Sequence, residues 1–401
     1  MTQPLVLTNA RLPDGRRADI HVADGRIASL PDAHGPAPKG SERIDLDGAL
    51  VLPGLVDGHI HLDKTLLGLP FIPHIKGSSV AERVAAEKIL RRSLTAPVEQ
   101  RATALVAQVV ASGTVAMRSH VDIDEQEKLK GLHALLKVRE AARNHADIQI
   151  VAFPQSGIVT LPGAADLLDQ AVREGADLIG GLDPAGFDHD VDGHLDVVFG
   201  IAERHGVGID IHLHDFGALG ASELRRIAER TLAAGLGGKV AVSHAYALGG
   251  VDEIEFGRTA EALAKARVAI MTNGAGPVTM PPVKRLADAG VLVFSGSDNI
   301  RDAWSPYGNG DMLERAMLVG YRNELAADED LALALGLATT APARVLGIAE
   351  YGLAVGAPAD LVAVPVLSVQ EAVTDHPRRK LVVKRGRVVA QDGRLLAPLT
   401  V

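Results

Sequence analysis

Between residues 53 and 348 the chain repeats one alternation, a short apolar run followed by a longer stretch of helical periodicity. Eight runs read as strands: "GLVDGHIH", "TVAMRSHV", "DIQIVAFPQ", "ADLIGGLD", "VGIDIHLHD", "KVAVSHA", "RVAIMTN" and "VLVFSGSDN". Between them lie helix-like segments such as "QEKLKGLHALLKVREAARNH" and "SELRRIAERTLAAG". Eight strands, each followed by a helix, predict an α/β chain folded as a parallel TIM-like (β/α)8 barrel. All C-terminal strand ends of such a barrel share one face, and that face carries catalysis. The ends carry, in order, His59 and His61, His120, Gln155, Asp183, then His212 with His214 and Asp215, His244, Asn273 and Asp298. Polar residues so consistently at one end of apolar strands point to an active site.

The two ends of the chain read differently. "PLVLTNARLPDGRRADIHVADGRIASL" has short β-type runs separated by "PDGR" and "ADGR" turns, and "ADLVAVPV" and "KLVVKRGRVVAQDGRLL" repeat the pattern near the C-terminus. The expectation is one small β-sandwich domain built from residues 1–52 and 349–401, with the barrel of 53–348 inserted between them.

Composition removes several alternatives. There is no cysteine, so thiolate metal sites, disulfides and thiol nucleophiles are excluded, and a metal would need histidine, carboxylate or water. Forty-one Lys and Arg against 50 Asp and Glu give a net charge of −9, with no basic footprint for nucleic acid. Arg378, Arg379 and Lys380 form a short basic cluster that reads as a solvated turn. No run approaches the roughly 18 apolar residues of a membrane span, and the first residues lack the apolar core of a signal peptide, so a cytoplasmic protein is expected.

Alternate residues of a strand point to the same side, so His59 and His61 can both face the barrel axis while Ile60 packs outward. Two imidazoles at that spacing suit a divalent metal, zinc or iron. His212 is the third candidate ligand and Asp298 can add a carboxylate oxygen; His244 can bind the ion or stand beside it and orient water. For His120 and Asp183 the expectation is an ordinary hydrogen-bonded interior group. A bridged two-metal site would want a lysine at the end of strand four, and "DLIGGLDPAGFD" has none, so one ion is expected. Lys64, just after the histidines, is either a ligand-facing ammonium or a surface lysine. Trp304, the only tryptophan, could wall a pocket with Asn299 nearby, or simply pack.

With these residues assembled, the chain resembles the amidohydrolase superfamily in its cytosine-deaminase-like branch. The resemblance runs nearly the whole length, through "VLPGLVDGHIHLDK", "DIQIVAFPQSG", "SHA", "SDN" and "GAPADLVAV". The runs "GGLDPA", "PVTMPPVKRLADAG" and "SDNIRDAWSPYGNGDM" are more similar to members acting on s-triazine rings than to cytosine deaminase itself. The resemblance implies metal ligation by His59, His61, His212 and Asp298, with Asp298 also serving as general base. It implies His244 at the attacking water, Gln155 on the substrate ring, and a homo-oligomer between dimer and hexamer. Cytosine deaminases carry a glutamate three residues after the strand-five ligand, where this chain has Asp215. By strand parity His214 shares the face of His212 and Asp215 points away, so His214 is favoured as the substrate-facing proton carrier, with Asp215 orienting or replacing it.

The implied reaction is hydrolytic removal of an amino or alkylamino group from an oxygenated s-triazine or pyrimidine, with Lys64 on a ring oxygen. A cyclic-amide or hydantoin-type hydrolase is the competing reading, and a non-catalytic barrel the third.

Overall fold

The computed structural model describes residues 4–33, 40–74, 77, 79–276 and 278–401. Eight parallel strands lie side by side in chain order: β1 (Leu55–Ile60), β2 (Thr114–Asp122), β3 (Asp147–Phe153), β4 (Leu178–Leu182), β5 (Gly208–Leu213), β6 (Val240–His244), β7 (Ala269–Thr272) and β8 (Val293–Ser295). A parallel bridge between Ile60 and Asp298 brings the last strand back to the first, where the Asp298 N–H donates to the His59 carbonyl at 2.7 Å. Glycine permits this approach. A Cβ on Gly58 would lie 2.3 Å from the Phe294 ring, and one on Gly296 would lie 2.5 Å from the His59 backbone.

The flanking helices bury one stripe each. In Ala164–Arg173 the buried positions are Ala164, Leu168, Ala171 and Val172, a single face at helical spacing. Asp190 and Asp252 cap later helices by accepting the N–H of Gly193 and Glu255. Several strand ends differ from the sequence expectation: β3 and β5 stop at Phe153 and Leu213, two residues short of Gln155 and Asp215. β2 runs two residues past His120, because Asp122 pairs with Phe153 of β3. β8 stops at Ser295, so Asp298 stands on the loop beyond it.

The chain ends meet in a second, nine-stranded and largely antiparallel sheet, stitched where Leu50–Pro53 pairs with Leu361–Val364. Period-two alternation divides its side chains between two cores. Val51, Leu361, Ala363, Leu381 and Val383 enter the sheet's own core, whereas Leu50, Leu52, Val362, Val364 and Val382 join the barrel's.

The basic cluster near the C-terminus is not a solvated turn. Arg379 is buried at this seam, donating to the Ser112 carbonyl and pairing with Asp311, and the Lys380 ammonium donates to the Leu46 carbonyl. Only Arg378 is exposed. Among the described residues no helix is long and apolar enough to cross a membrane.

Candidate active site

At the C-terminal strand ends β1, β5 and the loop after β8 bring four side chains together. The Nε2 atoms of His59 and His61 lie 3.3 Å apart, and His212 Nε2 lies 3.4 Å from His61 Nε2. Asp298 Oδ1 is 3.5 Å from His59 Nε2 and 3.4 Å from His61 Nε2.

Hydrogen bonding fixes one tautomer. Ser243 has a single hydroxyl proton, and it goes to Asp210, 2.9 Å away, whose other oxygen accepts from Arg118. The serine oxygen therefore accepts from His59 Nδ1 at 2.9 Å, which leaves His59 Nε2 bare and turned to the cluster. Burial first, and the Lys64 charge second, lower the His61 pKa to about 4; burial also holds His212 well below its ordinary value. Burial opposes ionisation of Asp298, but the facing ring nitrogens of His59 and His61, and His244 behind them, outweigh that and keep its carboxyl well below the usual range. Asn273 donates to its other oxygen at 2.6 Å.

Neutral imidazole lone pairs and a carboxylate facing one another repel unless a cation lies among them. The 3.3–3.5 Å separations are those of ligands about 2.0–2.2 Å from a common ion. Among the described residues the buried Nδ1 atoms of His61 and His212 have no hydrogen-bond partner. The residues fit a divalent metal.

A cavity of about 770 Å³ opens beside the cluster. His61, His212, His214, His244, Asp298, Lys64, Gln155, Asn299 and Trp304 all reach its wall. His214 Nδ1 lies 2.9 Å from Asp183 Oδ2, its own N–H donates to Oδ1 at 2.6 Å, and its ring stacks on His244 at 4.5 Å. Burial lowers the His214 pKa, but the charge and hydrogen bond of Asp183 prevail and raise it. Asp183, His244 and Asp298 hold positive φ values of 35°, 75° and 60°, so three site residues sit in backbone that side-chain-bearing residues seldom adopt.

Other expected residues lie elsewhere. Asp215 is outside the cavity wall; its carboxylate accepts the Gly186 N–H at 2.8 Å and neighbours Glu223. The partner that orients His214 is therefore Asp183, expected only as an interior group. His120 is buried as expected but makes no ring hydrogen bond among the described residues: it lies against His59 at 4.0 Å, with Nε2 3.8 Å from Asp210 Oδ2. Lys64 is no surface residue. It is buried, 3.0 Å from Asp122 and 3.5 Å from Glu87, and those charges raise its pKa against the effect of burial. Glu87, on the helix Val80–Ser93, escaped sequence reading, as did Asp122. Glu87 sits 26 residues past His61 on a helix whose polar face looks ordinary, and only its burial marks it.

Barrel, strand-end histidines and a cluster that fits a metal define the class: a metal-assisted hydrolase. The family profile for "Amidohydrolase family" matches residues 42–390, and the chain belongs to that family. It is 34% identical to N-isopropylammelide isopropyl amidohydrolase of Pseudomonas sp. (strain ADP), over 98% of both chains. The crystal structure of N-isopropylammelide isopropylaminohydrolase from Burkholderia multivorans superposes with a TM-score of 0.95 at 42% identity, covering 98% of this chain and 100% of that one. That of 5-methylcytosine deaminase from Klebsiella pneumoniae, liganded with 5-fluorocytosine, gives 0.87 at 29%, covering 96% and 97%. The chain is thus an enzyme of carbon–nitrogen bond hydrolysis.

Proposed function

We infer that the enzyme removes an amino or alkylamino group from an oxygenated s-triazine or pyrimidine ring by hydrolysis, using one divalent ion, zinc or iron, held by His59, His61, His212 and Asp298. The observation that carries this reading is the His214–Asp183 pair stacked on His244 beside the four-donor cluster. Breaking an exocyclic C–N bond requires a proton for the departing nitrogen, and His214, with its raised pKa, is a proton holder facing the cavity.

Held by these four residues, a divalent ion would supply Lewis acidity that lowers the pKa of water. Asp298, kept ionised, accepts the proton that water gives up. His244, neutral through burial, donates a hydrogen bond where negative charge develops on the attacked carbon's substituent. Asp183 keeps His214 in one orientation while it protonates the leaving amine. Trp304 and Phe153 flank the Lys64 ammonium at 5.3 and 5.4 Å from their ring centroids, and Gln155, Lys64 and Asn299 give a flat ring polar partners along its edge. Asp215 is a support for the loop at Gly186 rather than a proton shuttle. The relatives acting on N-isopropylammelide and 5-methylcytosine support both the ring class and the choice of bond.

Two further expectations travel with this reading. Residues 1–52 and 349–401 act as one composite β-sandwich domain beside the barrel of 53–348, and the enzyme is a cytoplasmic homo-oligomer.

The test is a panel of aminopyrimidines, aminotriazines and their N-alkyl analogues given to metal-loaded protein, scored for ammonia or alkylamine. Release from at least one member is expected. Ring-opened carboxylate from cyclic imides, with no amine from any member, would replace the reading with that of a cyclic-amide hydrolase.

A further inference from the structure

Glu87 is 2% exposed, and three side chains converge on its Oε2: Trp304 Nε1 at 2.6 Å, Gln155 Nε2 at 3.0 Å and Lys64 Nζ at 3.5 Å. An indole N–H and an ammonium can only donate. An oxygen that receives both acts as an acceptor, so the Gln155 group turned to it must be the NH2. The amide is then locked the other way round at its far end. Gln155 Oε1 has no hydrogen-bond partner among the described residues, and the side chain lines the cavity. The neighbouring ammonium is already shared between Asp122 and Glu87, so it adds no uncompensated positive charge to this wall.

We propose that Glu87 is a positioning residue which fixes the Gln155 amide with its oxygen toward the cavity, so that the site selects rings presenting an N–H at that edge. This rests on the heterocycle reading above. The selection follows from the cost of burying an acceptor against an acceptor: a ring offering a carbonyl or an N-methyl group there leaves two groups unpaired. Glu87 touches the indole, the amide and the ammonium at once, so its loss should loosen recognition more than chemistry.

The experiment measures binding of uracil and each of its mono-N-methyl isomers to metal-loaded protein by calorimetry, with kcat and KM for any ring that turns over. In the unaltered enzyme at least one methyl isomer should bind about 10–100-fold more weakly than the parent. Glu87→Gln, nearly isosteric, frees the Gln155 amide to turn; the gap should shrink to within about threefold, with KM moving more than kcat. Emission from the single tryptophan should shift in the same variant, because its N–H loses a carboxylate. Trp304→Phe removes one donor but leaves the Glu87–Gln155 bond, so it should keep the discrimination. Equal binding of all isomers by the unaltered enzyme overturns the proposal, as does a Glu87→Gln variant that keeps the full gap. Failure to release amine from any ring would sink the proposed reaction, yet the binding and emission readouts would still decide the role of Glu87.

Discussion

Two polar sites, one around the buried Lys384 ammonium and one around the buried histidines, stand at opposite ends of the barrel strands and pair their polar groups in opposite ways. Where β3 begins, Lys384 meets Asp147 and Asp360, each at 2.7 Å, and Arg385 adds a bond to each carboxylate, so both acids are satisfied within the chain. At the other end, three donor atoms lie within 3.5 Å of His61 Nε2, and among the described residues the back nitrogens of His61 and His212 have no hydrogen-bond partner. Buried polar groups are normally paired. The satisfied site joins the terminal sheet to the barrel; the unsatisfied one awaits something from outside. Between these two sites, completeness of pairing differs more than polarity does.

The sharpest way to break this contrast is at the metal cluster. His61→Ala removes the imidazole that touches all three other ligands; bound metal should fall below one per chain and kcat/KM by about 10³-fold or more, and unchanged turnover would falsify the site. Next comes the support behind it. Ser243→Ala deprives His59 Nδ1 of its acceptor, and metal affinity should weaken about 10–100-fold by competition with a chelator, with little change in melting temperature.

At the scaffold end the expected loss is stability, not activity. Lys384→Met removes the buried ammonium but leaves Arg385 bonded to both carboxylates, of which Asp147 is nearly half exposed, so it should cost about 1 kcal/mol in denaturant unfolding while kcat stays near normal. Equal stability would mean that the seam is held by its apolar contacts alone.

The smallest effect is a pH dependence. Burial, with the charge of Asp215 behind it, pushes the Glu223 carboxyl up to about 8. Its folded pKa lies above the unfolded value of about 4.3. Its contribution is thus fully present below that value and is lost as pH rises through about 8. Glu223→Gln should therefore gain on the unaltered enzyme by about 2–4 °C in melting temperature between pH 5 and pH 8.

The cluster was legible because strand geometry places alternate residues on one face and a barrel gathers all strand ends. His59, His61 and His212 need only that rule to meet, while Asp298, three residues past β8, is held there by its bridge to Ile60. The partners that orient them obey no local rule. Asp183 reaches His214 across neighbouring strands, and Glu87 reaches Gln155 and Trp304 from a helix, contacts set by folding rather than spacing. Lys64 was ambiguous for the same reason, since its burial depends on Asp122, and that residue joins the site only because β2 runs past His120. Arg379 was misread because a basic run near a chain end usually faces water, whereas this one closes a seam.

The terminal sheet, finally, is a party wall. Along Leu361–Val364 every second side chain belongs to the barrel's interior and the others to the sheet's own. Neither tenant can move out alone: a barrel cut free at residue 348 would carry away bare apolar ground where Val362, Val364 and Val382 now press against it. The catalytic unit of this enzyme is the whole chain, although its chemistry occupies one rim.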